Sequence, residues 1–305
     1  MQIPGNLTLI AAVAYWLSDR SNGSLVSSGE KRKYLLYVPK SYDPATPTSL
    51  VISLHGYSEW PAHQMQQSGW NDLAEQYGFI VVYPSGLGLP KRWRTHDPQP
   101  EVAFISDLID KLAGQYHIDP NRIYANGFSN GGGMSFVLAC QLSERIAAIG
   151  SVAGAYLLPW SACQPARQVP TIVFHGTADP IVPYLGGPSR SFDLPFPSIP
   201  EWVEALARQQ GCSGVPQAIP AEGKVSGVQY TGCDAGAEVV FYTIADGGHA
   251  WPGGKPLPKF IVGHTSADIN ATRTMWAFFQ RHRLPGEDQK HLTRNTLRDT
   301  MGHQE

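Results

Sequence analysis

The segment with the strongest chemical content is Gly127-Phe128-Ser129-Asn130-Gly131, a Gly-x-Ser-x-Gly pentapeptide. It follows the apolar run Arg122–Ala125 and precedes Met134, Phe136, Val137 and Leu138, which fall at helical spacing. A serine on such a strand-to-helix turn is held in a strained conformation with its Oγ exposed. The helix N-terminus behind it aims N–H groups at any oxyanion that develops. The pentapeptide alone also fits the glycine-rich start of a plain helix; the strand before it and the helix after it favour a nucleophile. A nucleophilic serine needs a base, and the base needs an acid to orient it. Two later segments supply them in the order Ser, Asp, His. The run Thr171–Phe174 leads into His175-Gly176-Thr177-Ala178-Asp179, and Val239–Ile244 leads into Ala245-Asp246-Gly247-Gly248-His249. Asp179 is therefore the candidate acid and His249 the candidate base.

Asp246 lies too near His249 in the same loop to orient it and reads as a turn residue. His175 reads as a hydrogen-bonder of the loop that carries Asp179. The histidines at His63, His96, His117, His264, His282, His291 and His303 show no partner pattern. Leu54-His55-Gly56-Tyr57-Ser58 closes an early buried strand, where a second oxyanion donor belongs. The backbone N–H groups of Tyr57 and Asn130 are the candidate pair, and His55 reads as structural. Together these parts describe two-step acyl transfer through an acyl-enzyme, with no metal and no organic cofactor required. Turnover is expected to fall below about pH 6, as imidazole protonates. Tyr57, Trp60, Trp93, Trp160 and Trp251 lie in loops beside these motifs, where they either contact substrate or pack beneath the loops. Trp251, Trp93 and Trp60 are the substrate-binding candidates, with Trp251 first because it stands two residues from His249.

The elements that must hold these residues are short apolar runs alternating with helical patterns. Strands are expected at Tyr34–Val38, Leu50–Leu54, Phe79–Tyr83, Arg122–Ala125, Ala147–Val152, Thr171–Phe174 and Val239–Ile244. Helices are expected at Trp70–Tyr77, across Val102 to Leu112, and at Gly132–Leu142, Glu201–Gln210 and Ile269–Arg281. Continuous apolar strands separated by helices indicate an α/β protein with a mostly parallel central sheet covered on both faces. No linker divides the chain, so one catalytic domain is expected over 31–284. It is preceded by a signal- or anchor-like and linker segment, 1–30, and followed by a polar tail, 285–305, expected to be frayed.

Composition narrows the remaining choices. The 305 residues carry 23 basic and 25 acidic side chains, a net charge of −2, which argues against nucleic-acid partners. Hydrophobic residues make up 42 %, enough for a large core. The run Leu7–Leu17 has the size of a signal-peptide core, and Ala12-Val13-Ala14 has the small-x-small form of a cleavage site, although a basic n-region is missing. None of the four cysteines has CxxC spacing. Bridges Cys140–Cys163 and Cys212–Cys233 would suit an exported protein, and four buried thiols are the alternative. A possible N-terminal anchor aside, nothing points to a membrane or an obligate protein partner; the expected partner is an ester, small or polymeric.

The segments LHGYSE, ANGFSNGGGMSF, HGTADPIVPY and DGGHAWPG resemble the polyhydroxybutyrate depolymerase and feruloyl esterase group of α/β-hydrolases, close to carbohydrate esterase family one. The likeness runs from about Tyr34 to Phe279. It implies Ser129 as nucleophile, Asp179 as acid, His249 as base, and Tyr57 and Asn130 as oxyanion donors. It also implies secretion and disulfides. Where many relatives carry a cysteine after the oxyanion His-Gly, this chain has Tyr57. The implied activity is hydrolysis of plant polysaccharide esters or polyesters, with an acetylxylan or short-chain esterase as the nearer alternative. A prolyl-oligopeptidase-type peptidase would share the triad but needs a gating domain, for which this length leaves no room. A non-catalytic protein on the same fold would be expected to lack a triad member, and all are present.

Overall fold

A computed structural model of the chain describes residues 20–188 and 194–285. The apolar run at 7–17 and the tail at 286–305 lie outside the described residues. The central strands are β3 (Thr48–Leu54), β4 (Ile80–Pro84), β5 (Ile118–Phe128), β6 (Ala148–Val152), β7 (Thr171–Gly176) and β10 (Val239–Ile244). All six run parallel, each paired to its neighbour in the order β4-β3-β5-β6-β7-β10. Strand β2 (Glu30–Tyr37) adds antiparallel beside β4, and β1 (Gly23–Ser27) beside β2. At the far edge β9 (Val225–Tyr230) and β8 (Gln217–Glu222) form an antiparallel ribbon on β10.

Strand β3 shows why the sheet is central: every one of its seven residues is buried. Leu50, Ile52 and Leu54 enter one core with Phe104, Ile105 and Leu108 of α3 (Gln99–Ala113), Met134 and Val137 of α4 (Asn130–Gln141), and Trp202 of α5 (Ile199–Gln209). Val51 enters the opposite core with Trp70 of α2 (Trp70–Tyr77) and Met275 and Phe279 of α7 (Ala271–Phe279). A strand buried at every position needs cover on both faces of the sheet, which the helices supply.

Three elements depart from the sequence expectation. Gly23–Ser27, assigned to the linker, is an edge strand in register with Glu30–Tyr34. The sheet therefore begins before residue 31. The β8–β9 ribbon was not expected because β8 is almost wholly exposed and has no apolar alternation to betray it. Helix α1 (Pro61–Ser68) escaped because its buried face is polar, carrying Gln64 and Gln67. Gln64 Nε2 donates to Ser53 Oγ at 2.9 Å, so the helix is docked by hydrogen bonding as well as by packing.

Both disulfides are present, Cys140–Cys163 and Cys212–Cys233, closing segments of 23 and 21 residues. Loops of this size restrict the unfolded chain by about 3 kcal/mol each. Such bridges fit an oxidising, extracytoplasmic setting. No helix among the described residues is long and apolar enough to cross a membrane. Because the six central strands are parallel, the loops that leave β3, β5, β7 and β10 emerge along one edge of the sheet. The candidate triad and oxyanion residues of the sequence lie at those strand ends.

Candidate active site

Ser129 sits between the end of β5 and the start of α4 with φ 55° and ψ −118°. A left-handed φ on a non-glycine residue is strained by about 1–3 kcal/mol and persists only where the surroundings enforce it. They do so here by close approach. A Cβ on Gly127 would stand 2.3 Å from the backbone carbonyl of Gly131, and a Cβ on Gly131 would stand 2.3 Å from Leu54 O. The turn is also tied to its neighbours: Ser129 N–H donates to Val152 O at 2.9 Å, and Ser129 O accepts from Gly133 and Ala155 N–H, both at 3.0 Å.

The candidate acid and base are brought together by a zipper between two loops. Thr177 N–H donates to Ile244 O, and Ala178 N–H to Gly247 O, each at 2.9 Å. These bonds bring Asp179 to His249, whose Nδ1 lies 2.7 Å from Asp179 Oδ2. A carboxylate only accepts, so the proton sits on Nδ1 and Nε2 is left as an acceptor. The other carboxylate oxygen of Asp179 accepts from Ile181 and Val182 N–H, both at 2.8 Å. His175 Nε2 stands 3.4 Å from Asp179 Oδ2 and 2.9 Å from Val182 O. Burial pushes the Asp179 carboxyl up, but His249 and His175 outweigh it and hold it well below the usual carboxylate range. Asp246 is exposed, has φ 57°, and pairs with Lys224 at 2.8 Å, which makes it the turn residue the sequence indicated.

The loop after β3 is held by His55. Its Nδ1 lies 2.7 Å from Gly56 O, and its Nε2 accepts from Gly86 N–H at 2.9 Å. Burial lowers its pKa to about 4, so the ring is neutral and structural. Glu59, which sequence reasoning overlooked, accepts the Gly56 N–H at 2.9 Å and pairs with His63 at 3.1 Å. Only its spacing of three residues from Gly56 could have signalled the turn.

Ser129, His249, Tyr57 and Glu59 all line one cleft of about 510 Å³. Its remaining walls come from Phe128, Ala155, Pro180, Ile181, Val182 and Phe196, together with Leu257 and Phe260–Val262. The last group belongs to a lip around the short helix α6 (Lys259–Val262). Neither the lip nor Ile181 was expected, since apolar residues in a loop carry no periodic signal.

The tryptophans require correction. Trp251 is 0 % exposed and lies in the core, where its indole N–H donates to Thr272 Oγ1 at 2.9 Å. Trp93 is 1 % exposed; its indole N–H donates to His55 O at 2.9 Å. Its backbone N–H donates to Asn130 Oδ1 at 2.7 Å and its carbonyl accepts from Asn130 Nδ2 at 3.2 Å. Trp93 thus clamps the residue that follows Ser129. Trp60 is half-buried, precedes α1 and packs beside His63, away from the cleft walls. The indole N–H of Trp251 is used to hold its loop to α7, and that of Trp93 to hold the loop after β3. Among the described residues, no group of three or more His, Cys, Asp or Glu side chains could hold a metal ion.

The strand order, with a serine at a left-handed turn after β5 and an Asp–His pair on the loops after β7 and β10, defines an α/β-hydrolase. The family model described as Esterase PHB depolymerase matches residues 32–182. NocK of Nocardia uniformis subsp. tsuyamanensis, an esterase by name, is 30 % identical over 276 residues, covering 82 % of this chain and 79 % of that protein. Feruloyl esterase B of Piromyces equi is 31 % identical over 246 residues, covering 75 % of this chain and 45 % of that protein. The chain therefore spans less than half the length of the Piromyces relative. Of solved structures, an acetyl xylan esterase from Aspergillus awamori aligns with a TM-score of 0.57 at 16 % identity, over 81 % of this chain and 94 % of that one. The chain belongs to the esterase PHB depolymerase family and is an esterase.

Proposed function

We propose that this esterase is an exported, single-domain serine hydrolase of feruloyl or hydroxyalkanoate-type esters. Ser129 attacks the ester carbonyl while His249 Nε2 takes its proton. Asp179 keeps the imidazole in the required tautomer and stabilises its charged form. The backbone N–H groups of Tyr57 and Asn130 receive the oxyanion. Asn130 opens α4, where a first-turn N–H has no partner within its own helix. One such donor contributes about 3 kcal/mol to the barrier. His249 then protonates the departing alcohol, and water activated by the same imidazole hydrolyses the acyl-enzyme.

The single observation that carries this reading is the 2.7 Å bond from His249 Nδ1 to Asp179 Oδ2, made on the wall of the same cleft that Ser129 lines. Tyr57 and Glu59 give one flank of that cleft a polar character, while most of the rest is apolar. The family and the names of the relatives support feruloyl and polyester substrates, and the disulfides support export. Purified protein and Ser129→Ala should be assayed side by side on methyl ferulate and p-nitrophenyl butyrate. Loss of both activities by 10³-fold or more in the variant is the expected result. Cleavage of butyrate alone would keep the triad and exclude the aromatic acyl group. Turnover retained in Ser129→Ala would reject the nucleophile.

A further inference from the structure

The two flanks of the cleft differ in chemistry. On the flank of the β3 loop stand the Tyr57 side chain and the Glu59 carboxylate, which is anchored by Gly56 N–H and His63. The other flank is attached to His249 itself. The His249 N–H donates to Val262 O at 2.6 Å, and Gly248 N–H donates to His264 O at 2.8 Å, so the segment carrying α6 is stitched to the histidine loop. Pro180, Ile181 and Val182 follow Asp179 directly and join the same wall. Every cleft-lining side chain that these two segments add is apolar.

Three of these side chains are held out of the core. Phe260 is 90 % exposed, Ile261 53 % and Ile181 40 %. Single exposed apolar residues need no explanation, but a group around the mouth of one cleft does. Phe260 and Ile261 also lie two residues and one residue before Val262, whose carbonyl fixes the His249 backbone. The wall cannot move far without moving the imidazole.

We infer that Phe260 and Ile261 are specificity-determining residues for the leaving alcohol, and that they select an apolar alcohol. The inference rests on the triad assignment above. In acyl transfer the histidine that takes the serine proton must next deliver a proton to the leaving oxygen, so that oxygen lies within hydrogen-bond reach of His249 Nε2. The alcohol therefore departs along the flank that carries His249. A hydroxyl-rich alcohol would need polar partners there, whereas Leu257, Phe260, Ile261 and Ile181 offer only surface that gains by being covered. The ligand class is an extended aliphatic or aromatic alcohol, met either as a small ester or as the next unit of a polyester chain.

The test separates the two sides of the ester. One series holds the acyl group as acetyl and varies the alcohol: ethyl acetate, hexyl acetate and a monoacetylated glucose. The other holds the alcohol as methanol and varies the acyl group: methyl acetate, methyl octanoate and methyl ferulate. Acid release is followed in a pH-stat for wild type, Phe260→Ser, Ile261→Ser, Phe260→Leu and Ser129→Ala. Phe260→Ser should lower the hexyl-to-ethyl ratio of kcat/KM about tenfold, the effect of uncovering some tens of Å² of apolar contact. It should leave the octanoate-to-acetate ratio in place, and Phe260→Leu should restore most of the hexyl preference. A soluble oligomer of 3-hydroxybutyrate, compared with hexyl acetate, then distinguishes the polymer source from the small ester. A lost ratio in the acyl series would overturn the assignment by placing the lip on the acyl side. An equal loss on every ester would overturn it in favour of a role in holding His249. Wild-type preference for acetylated glucose over hexyl acetate would overturn the apolar class. If Ser129→Ala keeps wild-type turnover, the triad itself falls and the lip assignment falls with it; if Ser129→Ala is dead and the Phe260 and Ile261 variants keep wild-type ratios, the lip alone is rejected.

Discussion

The serine turn and the α6 lip line the same cleft and are built in opposite ways. Around Ser129 the backbone is placed by its neighbours: glycine backbones pass within van der Waals contact, and the serine amide and carbonyl are both bonded. Even the next side chain, Asn130, is clamped on both ends by Trp93. The lip is four helical residues between Pro258 and Gly263, with Phe260 facing solvent. Chemistry needs fixed atoms, because a nucleophile displaced by about 1 Å can lose a hundredfold in rate. Recognition of a variable group tolerates a looser wall. The difference predicts that the turn fails abruptly when altered, whereas the lip shifts preference gradually.

The harshest way to break this comparison is Gly131→Ala. The new Cβ would stand 2.3 Å from Leu54 O and 2.6 Å from His55 O, both backbone atoms that cannot swing aside. Strand β3 and the start of α4 would have to separate, disturbing Ser129 and the Tyr57 loop together. The expected outcome is a loss of about 3 kcal/mol or more in urea unfolding, with turnover down by at least 10²-fold in whatever folds. An alanine variant of wild-type stability and rate would show that the turn is not locked.

A milder perturbation uses protons. His55 ties Gly56 to Gly86 as a neutral ring, its pKa lowered from 6.5 to about 4 by burial. Because the unfolded chain protonates first, the stability from this group is present above about pH 6.5 and is lost as pH falls toward 4. The amount is about 3 kcal/mol. His63 works the other way, since its hydrogen bond to Glu59 raises its pKa and adds stability on acidification. The Asp179 carboxyl is lowered, so its contribution is lost only further down, below the ordinary aspartate pKa. Unfolding free energies measured between pH 7 and 4 should fall in wild type and fall less in His55→Gln. Parallel slopes for the two proteins would remove His55 as the source.

What could be read from the sequence follows the same division. The mostly parallel character of the sheet was legible because strands buried on both faces carry continuous apolar runs, such as Leu50–Ile52 in β3 and Ile80–Val82 in β4. The serine turn and the two glycine-rich loops were legible because tight backbone approach admits few residue types. Cys140–Cys163 and Cys212–Cys233 were legible as a pairing because each joins the end of one element to a nearby loop. The lip left no such trace: an exposed phenylalanine in a proline-rich loop obeys no period and satisfies no steric rule. Helix α1 was hidden for a related reason, its buried face carrying Gln64, Gln67 and Ser68. The tryptophans misled because proximity in sequence to His249 or to the β3 loop says nothing about which way an indole turns.

Trp251 and Phe260 give the finest test of the comparison, because sequence position and structure rank them in opposite order. Trp251 neighbours His249 along the chain but is 0 % exposed and donates to Thr272 Oγ1, which in turn donates to Ser68 O at 2.5 Å. Trp251→Phe keeps most of the apolar volume and removes one buried donor, leaving Thr272 Oγ1 without that N–H. A loss of about 1 kcal/mol in unfolding is expected, with KM for hexyl acetate and for methyl ferulate both within twofold of wild type. Phe260→Ser removes a side chain that makes little contact with the folded protein, so its unfolding free energy should move by less than about 0.5 kcal/mol. Urea titrations of the two variants beside their ester kinetics decide the matter. If Trp251→Phe alters KM while Phe260→Ser alters stability, the wall that meets the substrate has been assigned to the wrong aromatic residue.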